Sequence, residues 1–83
     1  MEQQIISAKI KKFLERQFPA TKNIGDKDHL LKNGIIDSLG ILEVVTFLET
    51  EFGLTITDEE LLPENFESIR SLSAFVRQKR NGT

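Results

Sequence analysis

No cysteine occurs among the 83 residues. That absence excludes disulfides, thiolate-bound metal and a cysteine nucleophile, so any thiol chemistry must come from an attached group. There is a single histidine, His29. With no second histidine to join it, a zinc site is not expected. A Ser-His-Asp hydrolase needs more than His29 and a serine: Ile36-Asp37-Ser38-Leu39-Gly40 departs from the G-x-S-x-G elbow, and so short a chain lacks material for a substrate pocket. No catalytic residues are therefore assigned. The phosphate-cradling G-x-x-x-x-G-K is missing, as are the spacing and terminal glutamate of an EF-hand around Asp26 and Asp28. No apolar run approaches the roughly 20 residues needed to span a bilayer. The opening Met1-Glu2-Gln3-Gln4 lacks the basic start and apolar stretch of a signal peptide. These absences point to a cytoplasmic protein acting without membrane or metal; a monomer is expected.

One absence is local. From Asp37 to Glu67 there is no basic residue, against nine acidic ones. Residues 1–36 hold seven Lys/Arg and four Asp/Glu, and residues 68–83 hold four basic groups and no acid. The middle third should project a negative field that selects basic partners and disfavours nucleic acid. A plainer reading is that these charges only keep a small domain soluble. At this length, residues 1–83 are expected to form one domain with a thin core.

The apolar pattern predicts an all-α fold: a small bundle of three longer helices and one or two short ones, with a long loop between the first and second. Residues 3–17 carry Ile6, Ile10, Phe13 and Leu14 at helical spacing, and Pro19 ends the run. Residues 19–37 show no sustained period. Leu30, Leu31, Ile35 and Ile36 should pin this loop to the core, with a short helical turn around Asp28 to Lys32. Residues 38–52 form the clearest helix. Ile41, Val44, Val45, Leu48 and Phe52 make its core stripe, and Gly53 stops it. A second stripe, Leu39, Leu42 and Thr46 with Glu43, Glu49 and Thr50 beside it, points off the core and suits docking; the alternative is a wide buried face. Thr57 to Glu60 fit a capping box, which predicts a short helix with Leu61 and Leu62 facing inward, interrupted or restarted at Pro63. Phe66 should plug the core. Ser68 should cap a last helix carrying Ile69, Leu72, Phe75 and Val76, with Asn81, Gly82 and Thr83 frayed.

Ser38 stands where the loop gives way to the second helix. A serine there can be an N-cap and nothing more. It is also placed where unpaired N–H groups and the helix dipole favour an anion, so a phosphodiester on its hydroxyl would sit in a favourable field. Asp37 beside it could orient the hydroxyl for an incoming enzyme. These readings stay open on the residues alone.

Gly34-Ile35-Ile36-Asp37-Ser38-Leu39-Gly40 resembles the attachment motif of acyl and peptidyl carrier proteins. The resemblance continues through Glu49 to Gly53, Ile56 to Glu60 and Glu64 to Ile69, nearly the whole chain. It implies covalent 4'-phosphopantetheine on Ser38, with Asp37 and Leu39 beside it, delivered from coenzyme A by a phosphopantetheinyl transferase. It implies an acyl or aminoacyl cargo held as a thioester, and as partners an acyl-loading ligase or acyltransferase and synthase or condensing enzymes. It implies partner contacts at Leu39, Leu42, Glu43, Thr46 and Glu49, with Asp58 and Glu59 as a further acidic patch. Against fatty-acid carriers, Gly40 replaces a common aspartate, Thr46 a methionine and Thr50 an acid, and the terminal helices are basic. The resemblance is thus to a dedicated carrier. The alternative is an unmodified carrier-like domain that binds partners through its acidic helix.

Overall fold

The periodicity of the first segment builds a helix, α1 (Glu2–Gln17), that places Ile6, Ile10 and Leu14 in the interior. The structure, a computed structural model, describes residues 2–31 and 36–82, with Glu2, Ala20, Ser38, Asn81 and Gly82 by their backbone alone. The α1 run stops ahead of Pro19, which opens a 3-10 turn at Pro19–Thr21. Buried Thr21 answers its own polarity there, its hydroxyl donating to the Phe18 carbonyl at 2.8 Å.

The next stretch, a loop, is held by its backbone. The Leu30 amide donates to the Glu67 carbonyl at 2.7 Å, and the Arg70 amide donates to the Asp26 carbonyl at 3.0 Å. Leu30 and Ile36 are buried and Leu31 is half-buried, as expected of residues that pin the segment; Ile35 lies outside the described residues. Residues 28–31 form turns and no helix, so the helical turn expected there is not present among the described residues; Lys32 lies outside them. Backbone groups committed to Glu67 and Arg70 cannot also serve a helical ladder.

The second helix, α2 (Ser38–Phe52), buries Val44 and Leu48. Ile41, Val45, Phe47 and Phe52 pack against the core while staying half-exposed, so the stripe is narrower than its spacing suggested. Phe47 stacks on Phe13 with ring centroids 4.0 Å apart and planes 11° off parallel, fastening α2 to α1. Gly53 ends α2 in the left-handed conformation, φ 63°, a backbone only glycine adopts without penalty.

A 3-10 turn at Asp58–Glu60 and a four-residue helix, α3 (Pro63–Phe66), lead into α4 (Ile69–Gly82). Leu61 and Leu62 do not face inward: they are 36% and 44% exposed, because the turn closes at Glu60 and a separate helix restarts at Pro63. Phe66 fills the core. The Ser68 hydroxyl accepts the Ser71 amide at 3.1 Å and so caps α4, which buries Ile69, Leu72, Phe75 and Val76. The helix continues through Asn81 and Gly82 where fraying was expected; Thr83 lies outside the described residues.

Helices α1 and α4 run antiparallel, since Ser7 meets Ser73 at 2.7 Å and Arg77 meets Gln3 at 3.4 Å. Buried Ser73 donates its single hydroxyl hydrogen to the Ile69 carbonyl, which leaves Ser7 as the donor between the two serines. Among the described residues, no buried side-chain nitrogen or oxygen lacks a partner. There is no strand among them either.

Candidate functional site

At the start of α2 the capping role belongs to Asp37. Its carboxylate accepts the Gly40 amide at 2.8 Å, and its carbonyl accepts the Ile41 amide at 3.0 Å. Ser38 is therefore the first residue inside the helix, not its cap. Amides at the first two helical positions have no acceptor within an α-helix, and the N-terminal end of the dipole favours negative charge. A phosphodiester suits that place, and nothing about the cap has to be given up to accommodate it. One Asp37 oxygen is already engaged by Gly40, which limits the freedom of that carboxylate toward its neighbour.

Gly40 is buried, and a Cβ added there would lie 2.8 Å from Ile36 Cγ2 and 2.9 Å from Phe18 Cε1. The aspartate common at this position in fatty-acid carriers would have to displace a buried isoleucine and an aromatic ring. The close approach is what the glycine permits, and it brings the loop and the end of α1 against the first turn of α2.

The off-core stripe of α2 is open. Leu39 is 74% and Leu42 57% exposed, unusual for large apolar side chains, with exposed Glu43 and Thr46 beside them. The Thr46 hydroxyl turns back to the Leu42 carbonyl at 3.0 Å. Glu49 is different. It is half-buried, and its carboxylate accepts the Ile56 amide at 2.8 Å, so it ties the chain after α2 back onto the helix. Asp58 and Glu59 are exposed on their turn, and His29 is exposed in the loop. Among the described residues, no cluster of acids and histidine could hold a metal ion.

Two features were not legible from spacing. A groove of about 500 Å³ runs between α1 and α2, where Phe13, Arg16 and Gln17 of α1 face Leu42, Glu43 and Thr46. Arg16 thus borders a surface that read as purely acidic, because linear distance hides which helix faces meet. A smaller apolar pocket of about 230 Å³ is lined by Leu31, Ile41, Leu61, Leu62, Pro63 and Phe66. Two consecutive leucines ahead of a proline were its one signal in the sequence. The one-signed charge blocks are also partly neutralised within the fold. Lys9 of α1 pairs with Glu51 of α2 at 3.3 Å, and Lys79 of α4 pairs with Glu60 at 2.7 Å.

Comparison with known proteins agrees with this arrangement. A family model for the phosphopantetheine attachment site matches residues 4–76. An acyl carrier protein of Buchnera aphidicola subsp. Baizongia pistaciae (strain Bp) is 34% identical over 76 residues, covering 90% of this chain and 95% of that protein. The solved apo structure of KstB-PCP superposes with a TM-score of 0.73 at 42% identity, covering 92% of this chain and 86% of that one. Among the described residues, no helix is long and apolar enough to cross a membrane. The chain belongs to the family of acyl and peptidyl carrier proteins, non-catalytic proteins that bear a covalently attached 4'-phosphopantetheine group.

Proposed function

We propose that Ser38 is the attachment point, that residues 1–83 act as one carrier unit in the cytoplasm, and that the exposed face of α2 is what partner enzymes read. The observation that carries the assignment is the Asp37 cap: with the Gly40 amide already satisfied by Asp37, the helix end is complete without the Ser38 hydroxyl. In the transfer, the Ser38 hydroxyl oxygen forms a bond to the phosphorus that bears the pantetheine. The bond from that phosphorus to 3',5'-adenosine diphosphate breaks, and the hydroxyl proton passes to the transferase. The bound arm supplies the thiol that this cysteine-free chain lacks. Asp37 and Leu39 flank the attachment point, and Leu39 gives a transferase an apolar grip next to it.

Leu39, Leu42, Glu43 and Thr46 then form the contact face, with Asp58 and Glu59 a second acidic patch on a later turn. Basic partner surfaces complement them and speed encounter. Partners are a transferase, a loading enzyme and synthase-type enzymes. The identity to a peptidyl carrier and the glycine at position 40 support a dedicated carrier, loaded by an adenylating ligase, over a general fatty-acid carrier.

The test is intact mass after incubation with coenzyme A, magnesium and a broad-specificity phosphopantetheinyl transferase. A gain of one phosphopantetheinyl group is expected, and none in Ser38→Ala. No gain in the parent protein, or a gain that survives in Ser38→Ala, removes the assignment.

A further inference from the structure

Glu60 is where the segment after α2 is tied down. Its Oε1 accepts the Thr57 amide at 3.0 Å and the Thr57 hydroxyl at 3.2 Å. The Lys79 ammonium, reaching across from α4, donates to both carboxylate oxygens, at 2.7 and 2.9 Å. The Glu60 carbonyl accepts the Asn65 side-chain amide at 2.8 Å, which joins α3 to the same residue. The backbone bonds of the segment close locally: Leu61 to Asp58 at 3.2 Å and Asn65 to Leu62 at 2.9 Å.

Ahead of Phe66, which fills the core, little else holds this stretch. The turn at Asp58–Glu60 buries no residue, and α3 buries only Phe66. A four-residue helix has no stability of its own. Segments with few buried contacts open at low local cost, well below global unfolding. Yet Leu61, Leu62, Pro63 and Phe66 make one wall of the 230 Å³ apolar pocket, whose other wall is Leu31 and Ile41. The wall stands only while the segment stays seated.

We propose that Lys79 is a positioning residue that pins Glu60, and through it the Thr57–Phe66 segment, and so governs how readily an apolar group enters the pocket against Ile41 and Phe66. Lys79 suits the task. Its side chain is only 21% exposed, with Nζ 6.0 Å from the centre of the Phe75 ring, and Phe75 packs on Phe66 at 5.9 Å. The ammonium is thus held at the edge of the core rather than waving in solvent, where an ion pair would contribute little. This role is separate from the Ser38 assignment, and its test uses the protein without its arm, so either can fail alone.

Amide hydrogen exchange by NMR reads the opening directly. Lys79→Met keeps the apolar stem over Phe75 and removes the charge. It should speed exchange at the Leu61 and Asn65 amides about tenfold, the scale of one charge-assisted bond, and leave the Leu72 amide inside α4 unchanged. Lys79→Arg, which can still fork onto a carboxylate, should restore protection. Glu60→Gln keeps an oxygen for Thr57 and loses the ion pair, so it should match Lys79→Met, and the double variant should add nothing further. Binding of the neutral apolar dye Nile red should rise in Lys79→Met and not in Lys79→Arg. Unchanged exchange in Lys79→Met, no rescue by arginine, or equal acceleration at Leu72 would each overturn the proposal.

Discussion

At the scale of single residues, Glu49 separates two kinds of acid on one helix. Glu43 is exposed without a hydrogen bond or ion pair among the described residues, whereas Glu49 accepts the Ile56 amide at 2.8 Å and is half-buried. Removing an acceptor from a partly buried amide costs more than the bond returned, about 1–2 kcal/mol. Glu49→Ala should therefore lower unfolding stability by that amount, while Glu49→Gln, which keeps an oxygen there, should stay within about 0.5 kcal/mol of the parent in urea denaturation. A loss of partner binding in Glu49→Ala would mix stability with recognition, so Glu43 is the better residue for probing the proposed docking face. Nothing in the sequence distinguishes the two: both are acids beside the same apolar stripe, and only the path of the chain after Gly53 brings Ile56 back to one of them. Asp37 and Ser38 are a parallel case. Both residue types cap helices well, so sequence left the cap open, and the observed bond from Gly40 to Asp37 decided it.

At the scale of elements, the three longer helices follow from apolar spacing and stop signals, and their ends show the local physics. Pro19 comes just after the end of α1, Gly53 takes the left-handed turn after α2, and Ser68 caps α4. Ser68→Ala should cost about 1 kcal/mol, read from thermal or urea unfolding, because it strands the Ser71 amide at a buried helix start. The short elements were less legible. The capping box at Thr57 is present in its reciprocal arm, with Glu60 reaching back to the Thr57 amide. It starts one 3-10 turn and not a helix, so Leu61 and Leu62 fall between elements and stay partly exposed. A box signals where a turn begins; how far the helical path then runs depends on Pro63, which lacks an amide and starts a new helix.

At the scale of the whole molecule, the alternating charge blocks serve cohesion within the fold. Lys9 and Lys79 reach from basic helices to Glu51 and Glu60 of the acidic segment. The hydrogen bond from Lys79, then that from the Thr57 amide, hold the Glu60 carboxyl below the usual glutamate range. A carboxylate with a depressed pKa stabilises the fold above its ordinary titration range and loses that contribution as pH falls through the folded value. Lys79→Met, which removes the main cause, should lower the unfolding midpoint at neutral pH, and the two proteins should converge as acid protonates Glu60 in the folded state. A difference that persists unchanged at the acid end would show that Lys79 does not act through Glu60.

The helical class and the exposure of Leu39 and Leu42 could be read from the order of residues alone, because they depend on local periodicity and on residue chemistry within one helix. Packing in three dimensions settled whatever lies across a gap in the chain: Phe18 closing on Gly40, Arg16 bordering the α2 groove, Glu49 serving Ile56, and Lys79 reaching Glu60. Each of these joins residues whose sequence separation carries no signal, and each is set by which helix faces pack together.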